Sequence, residues 1–154
     1  MNADLIARAA IVETLSAKDK KTALEEVLGI AAREKFVTRK QVDALGERLL
    51  AREALGSTGI GNGVAIPHVK SDDIKSLGIV VARSERGLDY QAIDGKPVHT
   101  LFLLLAPTAQ AEQHLAALRW ISGLARNGDF RRFFLAAKSA EEIRELLREM
   151  SQSP

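Results

Sequence analysis

The stretch Val98-His99-Thr100-Leu101-Phe102-Leu103-Leu104-Leu105-Ala106, closed by Pro107, carries apolar side chains at consecutive positions from Leu101 to Ala106. A strand with one face in water alternates apolar and polar residues, so a continuous apolar run reads as a strand covered on both faces. Leu77 to Ala82 (Leu-Gly-Ile-Val-Val-Ala) reads as a second buried strand, and Asp94-Gly95 followed by Lys96-Pro97 is turn chemistry between the two. Ala10 to Leu15 is short and apolar and fits an edge strand. The covering layers come from helical spacing elsewhere. Ser16 with Asp19 forms a capping-box pattern ahead of Ala23, Leu24, Val27, Leu28, Ile30 and Ala31. Thr38 with Gln41 opens a second helix with the stripe Val42, Leu45, Leu49 and Leu50, ending near Arg52 and Glu53. After Pro107, Leu115, Leu118, Ile121 and Leu124 are core-spaced; Gly128-Asp129 breaks and recaps; Ser139 with Glu142 starts a last helix through Ile143, Leu146 and Leu147. Helices precede, interrupt and follow the strands. The expectation is an α/β fold, a three-layer α/β/α domain whose small mixed sheet has helices on both faces.

Composition supports this and excludes several classes. The 154 residues, 46% hydrophobic and 27% charged, suit one soluble globular domain spanning 1–154, with its core at about 11–147. No apolar run approaches the roughly 20 residues of a membrane span. Met1-Asn2-Ala3-Asp4 shows no basic region leading into an apolar stretch, so neither membrane insertion nor a secretory signal is expected, and the cytoplasm is the expected location. The net charge is +2, and the basic clusters (Lys18, Lys20, Lys21; Arg131-Arg132) lack interleaved aromatics, so they read as solvated faces and not as nucleic-acid sites. Cysteine is absent, which removes disulfides, cysteine zinc sites and a cysteine nucleophile. The three histidines include no His-x-x-x-His pair, so no metal site is expected, and no cofactor.

Chemistry concentrates in Gly59-Ile60-Gly61-Asn62-Gly63-Val64-Ala65-Ile66-Pro67-His68. Glycine-rich loops often bind phosphate through backbone N–H groups. No Gly-Lys-Ser/Thr triplet is present for a Walker loop. The dinucleotide spacing fails as well, since the sixth residue from Gly59 is Val64 and from Gly61 is Ile66. The loop is distinguished by its end. Pro67 fixes its own φ and biases Ile66 toward extended backbone, so His68 is presented from a stiff chain. A neutral imidazole is a competent nucleophile toward phosphorus. A loop histidine without chemistry is the alternative.

Ser57-Thr58-Gly59-Ile60-Gly61-Asn62-Gly63-Val64-Ala65-Ile66-Pro67-His68, preceded by Leu49-Leu50-Ala51-Arg52-Glu53, resembles the signature of the enzyme IIA proteins of the phosphoenolpyruvate:sugar phosphotransferase system, mannitol/fructose type. The Ser-Thr-Gly-Ile-Gly-Asn-Gly wording is most similar to the nitrogen-regulatory branch. Ala92 to Val98 and Leu101 to Pro107 are family-like too, so the resemblance runs from about Ile11 to Leu147. It implies that His68 accepts a phosphoryl group from an HPr-like carrier, that Arg52 lies beside it, and that His114 is the neighbouring second histidine. The family often has a small residue after the active histidine, where this chain has Val69.

The residue types suit these roles, because phosphoryl transfer asks mostly for positioning and charge stabilisation. Arg52 offers a planar fork to phosphate oxygens, or else serves as a helix-end arginine favourable to the dipole. His114 orients His68, donates to the phosphate, or is a partly buried structural residue; His99 and Trp120 are assigned to structure. Three functions follow: a phosphocarrier of the transferase class that regulates target proteins in a nitrogen- or potassium-related role; a fructose/mannitol-type sugar component passing phosphate to a separate IIB protein; or a protein-binding module never phosphorylated.

Overall fold

The computed structural model describes residues 3–152. The chain runs α1 (Ala3–Arg8), β1 (Ala10–Val12), α2 (Lys20–Arg33), α3 (Val42–Leu55), β2 (Gly59–Gly61), β3 (Val64–Ala65), β4 (His68–Ser71), β5 (Gly78–Leu88), β6 (Val98–Pro107), α4 (Ala111–Ala125), α5 (Gly128–Ala136) and α6 (Ala140–Gln152). The six strands form one mixed sheet in the order β1-β5-β6-β3-β2, with β4 also paired to β6. β5 and β6 are antiparallel; β1 joins β5, and β3 and β4 join β6, in parallel.

The apolar sequence of β6 follows from its place between two cores. Leu101, Leu103 and Leu105 enter a core with α2 and α3, whereas Phe102 and Leu104 enter a second core with α1, α4, α5 and α6. Successive side chains point to opposite faces, so both registers of one strand must be apolar when both faces are covered. The three-layer architecture is the expected one. Ala10–Val12 is the edge strand, and the Thr38–Gln41 box forms, opening a short 3-10 turn before α3.

Several boundaries differ from the sequence reading, each for a local reason. The cap of α2 is Asp19, whose carboxylate accepts the Thr22 N–H at 2.9 Å, while the Ser16 N–H instead donates to Glu26. The helix α1 is absent from the sequence reading. Asn127 caps α5 by accepting the Phe130 N–H at 3.0 Å. Ser139 accepts the Glu142 N–H, but the Glu142 carboxylate reaches back to Lys138. In α4 the buried stripe is His114, Ala117, Ile121 and Leu124; Leu115, expected in the core, is 48% exposed because His114 holds the inward position. Lys20 does not lie on a solvated face: it is ion-paired to Glu53 at 3.1 Å and lies over the Tyr90 ring. Val69 is buried among the α2 and α3 core residues, so its size does not shape an outer surface.

Candidate active site

β3 and β4 are one extended passage alongside β6, interrupted where Pro67 has no N–H to offer. The register shows this directly, with Ala65 opposite Leu101 and His68 opposite Leu104, and the Leu104 N–H bonding the Pro67 carbonyl at 2.9 Å. His68 therefore starts β4 on a backbone pinned at both sides of the interruption.

Its ring is pinned too. His68 Nδ1 lies 2.8 Å from the Ile66 carbonyl oxygen. A carbonyl can only accept, so Nδ1 carries a proton, and in the neutral ring Nε2 carries the lone pair. The ring centroid of His114 is 5.4 Å away, at an interplanar angle of 51°. His114 is buried, and its Nε2 is the one buried side-chain nitrogen or oxygen without a hydrogen-bond partner among the described residues. Burial first, and then the nearby His68 and Lys70, pull the His114 pKa down to about 4, so this imidazole is neutral at pH 7. A buried neutral ring nitrogen left unsatisfied, on a ring packed near His68, is able to take up a hydrogen bond from or to an arriving polar group.

α3 supplies the flank. The Gln41 side chain at its N-terminal side donates to the Asp73 carbonyl at 3.1 Å, and Arg48 donates to the Lys70 carbonyl at 2.5 Å. Residue numbers rise along α3 as they fall along β4, so the two run antiparallel, with the C-terminal end of α3 toward His68. At that end Arg52 donates through Nη1 to the Gly56 carbonyl at 2.7 Å.

The glycine-rich segment is a hairpin, not a phosphate cradle. Asn62 and Gly63, both at positive φ (59° and 74°), turn β2 into β3. The Asn62 N–H faces the Asp94 carboxylate at 3.3 Å, a poor setting for an anion. At Gly59 a Cβ would come within 2.8 Å of the Ala92 Cβ, so only glycine lets the two segments approach.

Sequence reasoning missed the polar group beneath this hairpin. Glu53 is 8% exposed and sits on the same helical stripe as Leu45 and Leu49. Its carboxylate accepts the Thr58 N–H at 3.0 Å, the Thr58 hydroxyl, and the Tyr90 hydroxyl at 3.3 Å, and it pairs with Lys20. Burial and the Glu53 charge push the Tyr90 pKa upward, so its hydroxyl stays a donor. The usable signal was a charged residue on an apolar stripe. His99 holds a structural bond, Nδ1 to the Ser84 carbonyl at 2.9 Å, and Trp120 packs against the second core. Among the described residues no group of three or more metal-ligating side chains is gathered.

The model of the phosphoenolpyruvate-dependent sugar phosphotransferase system EIIA 2 family matches residues 4–150. The chain belongs to that family. It is a phosphotransfer component of the IIA kind. It is similar to a nitrogen regulatory protein of Bradyrhizobium diazoefficiens, 40% identical over 144 residues, which are 94% of this chain and 92% of that one. The crystal structure of nitrogen regulatory protein IIA-Ntr from Neisseria meningitidis superposes with a TM-score of 0.81 at 32% identity, over 94% of this chain and 97% of that chain. A fructose-specific EIIA component of Haloferax volcanii is 38% identical over 108 residues, 70% of each chain.

Proposed function

We propose that His68 accepts a phosphoryl group at Nε2 from the phosphorylated form of an HPr-like carrier, and that the two states of His68 are distinguished by regulatory target proteins. The observation that supports this most is the fixed tautomer: the Nδ1–H of His68 is committed to Ile66, leaving Nε2 to act as the nucleophile on a ring whose centroid lies 5.4 Å from that of His114, itself carrying an unsatisfied Nε2. In the transfer, the His68 Nε2–P bond forms as the donor's N–P bond breaks, and the donor imidazole leaves with the electron pair. No net proton movement is required, because His68 keeps its Nδ1–H. His114 enters as the tautomer that donates from Nε2 to a phosphoryl oxygen. In this reading Arg52, one helical turn beyond the Arg48 that bonds the Lys70 carbonyl, turns its remaining donors to the same group; that antiparallel run of α3 along β4 supports the assignment.

A regulatory reading is supported over a sugar-uptake reading by 38–40% identity to proteins named nitrogen regulatory, over 83–94% of this chain and 82–92% of theirs. The fructose-specific relatives are either 38% identical over 70% of the chain or 31% identical over 94% of it, as 22% of a larger EIIABC protein. These 154 residues contain no cysteine, so onward transfer to a IIB cysteine would go to a group outside them. None of the described helices is long and apolar enough to cross a membrane, and a cytoplasmic setting is part of this proposal.

The test is phosphorylation with phosphoenolpyruvate, enzyme I and the HPr-like carrier, followed by intact mass. One acid-labile, alkali-stable phosphoryl group is expected on the wild type and on His99→Ala, and none on His68→Ala. Unlabelled wild type would return the chain to a binding module. A IIB protein that drains the label faster than any regulatory target binds would favour the sugar role.

A further inference from the structure

Burial of the Glu53 carboxylate is by itself weak evidence for a stabilising role. Charged pairs taken out of water are commonly no more stabilising than apolar side chains of the same volume. What distinguishes this one is where its bonds lead. Glu53 fixes both the N–H and the hydroxyl of Thr58, and the Tyr90 hydroxyl, 3.1 Å from Thr58 Oγ1, closes the group. The Thr58 carbonyl accepts the Ile66 N–H at 2.9 Å, and the Ile66 carbonyl accepts the His68 Nδ1–H at 2.8 Å. Lys20, from the first turn of α2, neutralises the carboxylate at the far end, at 3.1 Å. The chain of contacts is therefore unbroken from Lys20 through Glu53, Thr58 and Ile66 to the ring of the nucleophile.

We infer that Glu53, acting through Thr58 and Ile66, is a positioning residue that holds the His68 ring in its Nδ1–H tautomer and aims Nε2 at the incoming phosphorus. This rests on His68 being the acceptor, as proposed above. Glu53 touches neither the phosphoryl group nor the ring. Its action is to fix the carbonyl that the ring must bond. A misplacement of order 1 Å at a reacting atom costs up to about 100-fold in rate, so a loosened Ile66 carbonyl is enough to matter.

Two variants separate this role from a merely structural one. Glu53→Gln keeps the volume but has one acceptor oxygen in place of two, and Thr58→Val removes the hydroxyl while Thr58→Ser retains it. The imidazole nitrogen spectrum of the unphosphorylated protein reads the tautomer without any donor protein. The wild type and Thr58→Ser should show the Nδ1–H form of His68. Glu53→Gln and Thr58→Val should show a mixture of tautomers, with transfer from the phosphorylated carrier slowed roughly 10- to 100-fold. Folded Thr58→Val with the wild-type tautomer and the wild-type rate would overturn the inference, whether or not Glu53→Gln folds. A wild type that takes no phosphoryl group, while its His68 tautomer still follows residue 58, would overturn the proposed function and leave the positioning role supported.

Discussion

Arg83 and Arg52 both donate to carbonyls at the C-terminal end of a helix, and the likeness ends there. Arg83 is 4% exposed on β5 and commits its guanidinium to the Glu13, Phe134, Leu135 and Ala137 carbonyls, tying β1, β5 and the end of α5 together. Arg52 is exposed on α3 and makes a single bond of this kind, to Gly56. A guanidinium offers five donors in a plane. Saturated by backbone, it is a clamp whose loss is felt in folding. Exposed and mostly uncommitted, it can turn donors to anionic oxygens, and under the proposed function its loss is felt in transfer. Exposure and donor count, not residue type, separate the two.

That contrast can be broken most sharply at the clamp. Arg83→Met should lower the unfolding free energy by about 4 kcal/mol, since several buried carbonyls lose their donor together. The folded fraction should transfer phosphate at the wild-type rate. Urea denaturation followed by a transfer assay reads both; a stable, inactive Arg83→Met would place this arginine with Arg52.

Next in size is a pH effect from His114. Its folded pKa, about 4, lies below the unfolded value of about 6.5, so between these values the unfolded chain binds more protons. Stability from this residue is complete above pH 6.5 and lost as pH falls toward 4, a total of about 3 kcal/mol. His114→Gln should flatten that limb of the stability curve. Phosphorylation of His68 should move the His114 titration upward, because a dianion replaces a neighbour that repels the charged ring. An unshifted His114 titration after phosphorylation would separate it from the phosphoryl group.

Arg52→Ala should slow transfer about 10-fold or more, corresponding to a charge-assisted hydrogen bond of roughly 1.5–3 kcal/mol. Arg52→Lys should recover only part, lacking the fork. Stability should change by no more than about 0.5 kcal/mol in either. Unchanged transfer in Arg52→Ala would leave this side chain as a helix-end cap. The smallest effect belongs to Leu115→Ser, within about 0.5 kcal/mol by denaturation, because the side chain stands in solvent. A loss of several kcal/mol there would restore the core position that helical spacing suggests.

How much of this is legible in the sequence depends on the kind of signal. β6 and β5 can be read because a continuous apolar run is stable as a strand only where both faces are covered. The Ile-Pro-His presentation can be read because proline constrains backbone without help from tertiary contacts. His114 stands out through the family motif, but its burial does not. A leucine beside a histidine takes the apolar position by default, and only packing of α4 against β6 shows which of the two faces inward. Glu53 is visible on the stripe of Leu45 and Leu49, yet its partners Thr58, Tyr90 and Lys20 are brought to it by the fold from separate segments. No spacing rule reports such a meeting. Asp19 displaces Ser16 as the α2 cap because Glu26 competes for the Ser16 N–H, again a contact between separated residues.

The most direct test of His68 as the phosphoryl acceptor is nitrogen-resolved NMR of the phosphorylated protein, with the imidazoles isotopically labelled. One phosphoryl group is predicted, bonded to Nε2 of His68, with the His68 Nδ1–H retained against Ile66. A phosphoryl group on Nδ1 of His68, or on His114, or full labelling of His68→Ala, would contradict it.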